Sequence, residues 1–191
     1  MISHGSSGGQ FIAKAVGKIF YLVKDRDMLP FLIDENADIG FVGSDAYTEI
    51  EYTAEGLQTR FEPLGIKIGE MILAAKSGQA ARYKKLLNDK QSLVSPMVAT
   101  KYPVGLARFA RERRYDISIK EMISVEAAVI GGECELMFDI RESGQTLKDN
   151  KLVIVARAGR VELGGICKDM NTWRMPFAEF KDCFGYNGGE T

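Results

Sequence analysis

The sequence predicts an α/β protein of two lobes with a cleft between them, and three observations carry that expectation. Short apolar runs that read as strands alternate with segments of helical periodicity along most of the chain. A polar stretch, Asn88 to Pro96, reads NDKQSLVSP and ends in proline, which marks a boundary between lobes. The alternation then resumes, and two late strands are placed to return the chain to the first lobe. On this reading residues 10–95, completed by 160–191, form the first lobe, and residues 96–159 form the second.

The elements follow in order. An apolar strand is expected at Lys18 to Val23, and Asp27 is a natural N-cap for a helix running through Leu32 and Ile33, with Pro30 tolerated in its first turn. Asp38 to Val42 form the next strand; Gly43 turns the chain, and Ser44 or Asp45 caps the following helix. Met71 to Ala75 read as a strand, and Gln79 to Asn88 carry Ala80, Tyr83, Leu86 and Leu87 at helical spacing. The second lobe opens with a strand at Val98 to Thr100, a helix at Val104 to Glu112 and a strand at Ile117 to Glu121. A helix at Val125 to Ile130, capped by Ser124, then leads to a strand at Leu136 to Ile140. Two more strands are expected at Leu152 to Ala156 and Val161 to Cys167. Met1 to Gly9, MISHGSSGG, reads as a leader of serine and glycine without a strand. In the tail, Trp173, Phe177, Phe180 and Phe184 share one helical face, suited to packing on the first lobe or on a partner.

Composition excludes several function classes. Of 191 residues, 46% are hydrophobic and 27% charged, as in a folded protein, and the net charge of -1 leaves no electrostatic footprint for nucleic acid. No apolar run approaches the roughly 18 to 20 residues that span a bilayer, and the N-terminus lacks the apolar core of a secretion signal, so a cytoplasmic location is the expectation. Cys134, Cys167 and Cys183 are odd in number and widely spaced, and His4 is the one imidazole, which argues against a zinc site, a disulfide framework or a Ser-His or Cys-His nucleophile.

The most informative stretch is Glu126 to Leu147, EAAVIGGECELMFDIRESGQTL. A buried-looking strand ends in Asp139 and Glu142 and then in a small turn, Ser143, Gly144, Gln145 and Thr146, just before a short helical segment. Glycine permits close backbone approach, the hydroxyls donate hydrogen bonds and a helix start adds partial positive charge, so the turn reads as a phosphate cradle. A serine-glycine turn at a strand end is also ordinary turn chemistry, and the residues of the loop alone leave both readings open.

In this stretch the chain resembles the ATP phosphoribosyltransferase family, whose signature runs from a helix glutamate through a strand aspartate to a Ser/Thr-Gly-x-Thr-Leu loop. Glu126, Gly132, Asp139, Ile140, Ser143, Gly144, Thr146 and Leu147 fall on it in register, while Cys134 and Met137 depart modestly. Ala37 to Asp45 (ADIGFVGSD) and Val98 to Pro103 (VATKYP) resemble two further family segments, in the right order, and the likeness covers roughly residues 20 to 168.

The resemblance implies a two-lobed, periplasmic-binding-protein-like fold and a transfer from phosphoribosyl pyrophosphate to N1 of ATP, with release of pyrophosphate and with Mg²⁺ as cofactor, at the first step of histidine biosynthesis. It places Ser143, Gly144, Gln145, Thr146 and Leu147 on the 5′-phosphate and Asp139 and Glu142 at the ribose in catalytic roles. Lys101, Tyr102, Lys24, Asp27 and Asp45 become further substrate-binding candidates. No resident metal ligands are implied. The tail after Asp169 does not resemble the family's far longer regulatory domain, so the resemblance implies the short form, which works with a regulatory subunit related to histidyl-tRNA synthetase, and a homodimer or larger assembly is expected.

The first lobe departs from the pattern. Lys24 stands where the family has arginine, and Glu70 where it has a basic residue. Met1 to Gly9 does not supply the family's opening strand and Pro-Lys-Gly-Arg-like turn, which reads either as a foreign leader on a shortened start or as a rebuilt acceptor site. Three alternatives therefore stand beside the ATP reaction: another heterocyclic acceptor, a noncatalytic paralogue that keeps the donor loop, and a small-anion-binding module of the same architecture.

Overall fold

The computed structural model describes residues 3–7, 10–15, 18–23, 27–33, 37, 39–53, 59–89 and 94–167. Lys24, residues 90–93 and the aromatic tail with Trp173, Phe177, Phe180 and Phe184 lie outside the described residues. Among those described, no helix is long and apolar enough to cross a membrane.

Three short strands, β1 (Ser3–Ser7), β2 (Gln10–Ala15) and β3 (Lys18–Leu22), form an antiparallel sheet of their own. This corrects the expectation that Met1 to Gly9 holds no strand: His4 pairs with Ala13 and Gly5 with Ile12. Serine and glycine have little strand propensity themselves, so the apolar neighbour Phe11 to Ala13 supplies the preference and the ladder carries the leader with it.

The chain continues through α1 (Met28–Ile33), β4 (Ile39–Gly43) and α2 (Ser44–Thr53) to β5 (Arg60–Lys76). It then forms α3 (Ala80–Asn88), β6 (Met97–Thr100), α4 (Pro103–Arg113) and β7 (Ser118–Glu121). The last elements are α5 (Val125–Gly131), β8 (Leu136–Arg141), α6 (Gln145–Asp149) and β9 (Leu152–Cys167). Two strands are longer than the sequence indicates. Pro63, Gly65 and Gly69 break the apolar pattern ahead of Met71, yet β5 starts at Arg60, because register shifts at Pro63/Ile66 and Lys67/Gly69 absorb the irregular residues. The strands expected at Leu152 to Ala156 and Val161 to Cys167 are one strand, since the polar Arg157 to Arg160 segment pairs with Glu70, Met71 and Ile72 of β5. Ser124 occupies the N-cap of α5 as expected, but its hydroxyl makes no capping hydrogen bond.

The six-stranded sheet runs β4-β9-β5-β8-β6-β7. The pairings β4/β9, β9/β5 and β5/β8 are antiparallel, whereas β8/β6 and β6/β7 are parallel. Strand alternation sends neighbouring residues to opposite faces. On one face Met71, Leu73, Val98, Leu136 and Phe138 pack with Tyr83 and Leu87 of α3 and Leu106 and Phe109 of α4. On the other, Ile72, Ala74, Ala99 and Met137 pack with Val125, Ala128 and Val129 of α5 and Leu147 of α6. A separate core of Leu32, Val42, Ala46, Ile50 and Ile166 joins α1, β4, α2 and the end of β9. The long strands β5 and β9 thus link these three cores, and the parallel strands β6 and β8 end beside each other, where loops of such sheets hold ligands.

Candidate functional site

The site is built where β6 and β8 end. Asp139 is buried at 3% exposure, on the α5/α6 face of β8 next to Met137, and its Oδ1 accepts a hydrogen bond from the Ile140 amide at 2.8 Å. Lys101, just past β6, places Nζ 3.4 Å from the same oxygen. Burial pushes the Asp139 carboxyl above the usual aspartate range; Lys101 and the Ile140 amide oppose that shift, and Glu126 on α5 adds to it. The result is a desolvated carboxylate with one cation, at the mouth of a turn.

That turn is Glu142, Ser143 and Gly144, leading into α6. Gly144 has φ +82, a left-handed conformation that an L-residue adopts only at a cost. Glu142, Ser143 and Thr146 are exposed. The Gln145 amide donates to Ser143 Oγ at 3.3 Å, and the Gln145 side chain donates along α6 to Asp149 at 2.7 Å, so that side chain is turned away from the loop. Leu147 is buried against Ile72 and Met137 and anchors the turn to the sheet; its side chain faces the core.

Asp45 and Tyr102 fall elsewhere. Both line a cavity of about 310 Å³, with Ser44, Thr48, Arg108, Glu112 and Arg160 as other polar walls. Its apolar floor includes Met71, Phe109, Phe138 and Val161, which belong to the α3/α4 core. The cavity therefore opens on the face of the sheet opposite Asp139. Asp27 is exposed immediately ahead of α1. The sequence-derived candidates thus divide into a turn group (Asp139, Lys101, Glu142 to Thr146) and a cavity group (Asp45, Tyr102).

Two helices of different cores meet beside the cavity. Glu49 of α2 accepts hydrogen bonds from the Val104 and Gly105 amides at the start of α4, at 3.0 and 2.8 Å. Pro103 at the first helical position has no amide to satisfy, and Thr100 Oγ1 accepts the Tyr102 amide at 2.9 Å, which sets the angle at which α4 leaves β6. Burial pushes the Glu49 carboxyl up, while the two amides hold it down. Glu49→Ala leaves two helix-start amides without this acceptor and is expected to lower stability by about 1 kcal/mol in chemical denaturation; an unchanged midpoint would show that the contact contributes nothing.

Sequence reasoning missed Glu49, whose sequence neighbourhood carries no motif. It also passed over Arg141, which lies inside the signature between Ile140 and Glu142, and Arg160 on the cavity wall. Only their positions in the sheet and helices bring them into view.

Comparison with known proteins gives a consistent result. A family described as ATP phosphoribosyltransferase matches residues 24–167. ATP phosphoribosyltransferase from Clostridium novyi is 35% identical over 137 residues, covering 71% of this chain and 59% of that protein. The protein of the same name from Listeria monocytogenes serotype 4a is 33% identical over 136 residues, 71% of this chain and 58% of that one. The chain thus spans less than two thirds of the length of these relatives. Among solved structures, the ATP phosphoribosyl transferase (HisG:HisZ) complex from Thermotoga maritima aligns with a TM-score of 0.63 at 23% identity, covering 96% of this chain and 84% of that one. A histidine kinase sensor domain with similarity to periplasmic binding proteins aligns at 0.53, with 16% identity and coverage of 84% and 71%. At these identities the structures speak to fold alone, and they bear out the two-lobed, periplasmic-binding-protein-like expectation.

Proposed function

Because the chain belongs to the ATP phosphoribosyltransferase family, we propose that it transfers a phosphoribosyl group from phosphoribosyl pyrophosphate to N1 of ATP. The observation that carries this reading is the turn after β8: a left-handed Gly144 between exposed hydroxyls, with the buried Asp139 carboxylate at the strand end beside Lys101. In the reaction the N1 lone pair forms the new bond to the anomeric carbon as the carbon–oxygen bond breaks, and that electron pair departs with pyrophosphate. The carbon becomes cationic on the way, so a desolvated carboxylate nearby stabilises it more than an exposed one would.

Ser143, Gly144 and Thr146 hold the 5′-phosphate in this reading, with Gln145 contributing backbone. Asp139 and Glu142 face the ribose, and Lys101 opposes the upward push that burial gives the Asp139 carboxyl. The cavity lined by Asp45, Tyr102 and Arg160 opens on the other face of the sheet and is assigned no part in the bond-forming step; a heterocycle other than ATP would have to approach the same anomeric carbon.

The family also implies Mg²⁺. Among the described residues no three acidic, histidine or cysteine side chains converge to hold an ion. Mg²⁺ is commonly bound through substrate phosphates, water and one or two carboxylates, and Asp139 and Glu142 meet that smaller requirement. The ion, when bound, neutralises charge on the departing pyrophosphate. The partner named in the Thermotoga complex supports the proposal that a regulatory subunit joins this chain, and the cytoplasm is the compartment that suits such a reaction.

The direct test is Thr146→Ala. Loss of one hydrogen bond to a charged phosphate is expected to weaken phosphoribosyl pyrophosphate binding by roughly tenfold or more, with the thermal midpoint unchanged. Equal affinity in calorimetric titration would remove Thr146 from the site.

A further inference from the structure

Glu70 is the sharpest charge departure in the chain, and the structure shows what surrounds it. It lies on β5 in register with Arg141 on β8, and its Oε2 is 3.7 Å from Arg141 Nη1. Arg157, from β9 on the other side of β5, hydrogen-bonds the same oxygen. Two guanidiniums from flanking strands thus converge on one anionic oxygen. The trio carries a formal charge of +1, and with Glu70 only 23% exposed the attraction is less screened than between surface groups.

This cluster adjoins the turn. The Arg141 guanidinium lies against Gly144, with Nε 2.8 Å and Nη2 3.3 Å from where a Cβ on that glycine would sit. Its side chain is 34% exposed, so it is open to solvent and to a ligand in the turn, while Arg157, 54% exposed, touches Glu70. Guanidinium forks match the geometry of a phosphate as well as that of a carboxylate.

We propose that Arg141 is a phosphate-binding residue of the turn, that Arg157 supports it, and that Glu70 is a built-in competitor which holds both guanidiniums ready and sets the affinity for a phosphate monoester. A phosphate entering the turn shares Arg141 with Glu70, so the carboxylate opposes binding through its charge while pre-positioning the fork. The inference rests on the turn being the donor-phosphate site.

The experiment is calorimetric titration of ribose 5-phosphate and of phosphoribosyl pyrophosphate into wild type, Glu70→Gln, Arg141→Met and Arg157→Met, with thermal melts alongside. Glu70→Gln keeps a hydrogen-bonding side chain and removes the competing charge; it is expected to tighten ribose 5-phosphate binding at least threefold. Arg141→Met is expected to weaken it tenfold or more, and Arg157→Met two- to threefold. Weaker or unchanged binding in Glu70→Gln, or Arg141→Met binding within twofold of wild type, would overturn the proposal while leaving the donor loop in place if Thr146→Ala still loses affinity. Should wild type bind neither sugar phosphate, the donor-site reading itself falls, and this inference with it. The Glu70→Gln arm stands by itself if Arg141→Met does not fold.

Discussion

Gly144→Val is expected to abolish measurable binding of phosphoribosyl pyrophosphate, a loss of at least about 100-fold. Two effects add. Gly144 sits at φ +82, where an L-residue costs roughly 1–2 kcal/mol and a β-branched one is a genuine outlier. A side chain there would also press on the Arg141 guanidinium, whose Nε lies 2.8 Å from the Cβ position. The turn must then rearrange, and losing two hydrogen bonds to a charged phosphate, each contributing about 1.5–3 kcal/mol, is sufficient for the expected fall. The sheet should survive, because Leu147 still anchors α6 in the core. Gly144→Ala separates the contributions, since it brings the backbone strain with less bulk and should give an intermediate loss. Titration with the donor, with circular dichroism as the fold control, checks both; wild-type affinity in the valine variant would contradict the site.

Asp139→Asn is the second large effect, and it moves activity and stability in opposite directions. The amide keeps the shape and an acceptor for the Ile140 amide but removes the charge that the proposed function places beside the ribose, so turnover is expected to fall by about 10²-fold or more, with a smaller change in donor affinity. Stability follows from the raised carboxyl pKa, caused first by burial. With the folded value above the unfolded one, the native state holds the proton more tightly, so this group favours folding at pH below the ordinary aspartate range. That contribution is lost as pH rises through the folded-state pKa. The asparagine variant has no such loss, and above that window its melting temperature relative to wild type is expected to be higher than at low pH. Melting curves from acid to neutral pH check this; a difference that does not vary with pH would mean Asp139 titrates as an ordinary aspartate.

Much of this architecture was legible in the sequence, for identifiable reasons. The helices α3 and α4 were readable because Tyr83 and Leu87, and Leu106 and Phe109, recur at helical spacing and do pack on one face. The strand β8 and its turn were readable because Leu136 to Phe138 are all buried and Gly144 follows within a few residues. What escaped depends on pairing between distant segments. Strand β5 reaches back to Arg60 only because β9 offers a partner along its whole length, and β1 exists through the ladder to β2. Tyr102 and Lys101 are adjacent in sequence yet serve opposite faces, because the chain turns just past β6, where Thr100 Oγ1 accepts the Tyr102 amide. Glu70 was visible as a reversed charge, but its arginines come from two other strands, and no local pattern announces them.

The account is tested most directly by measuring pyrophosphate release from phosphoribosyl pyrophosphate and Mg²⁺, with ATP as acceptor, in the presence and absence of a short-form regulatory subunit. Release that requires ATP, and that falls about 10²-fold or more in Asp139→Asn, is the expected result. Donor binding without release for ATP or any other heterocycle tested, with the subunit present, would contradict a transferase and leave a phosphate-binding paralogue in its place.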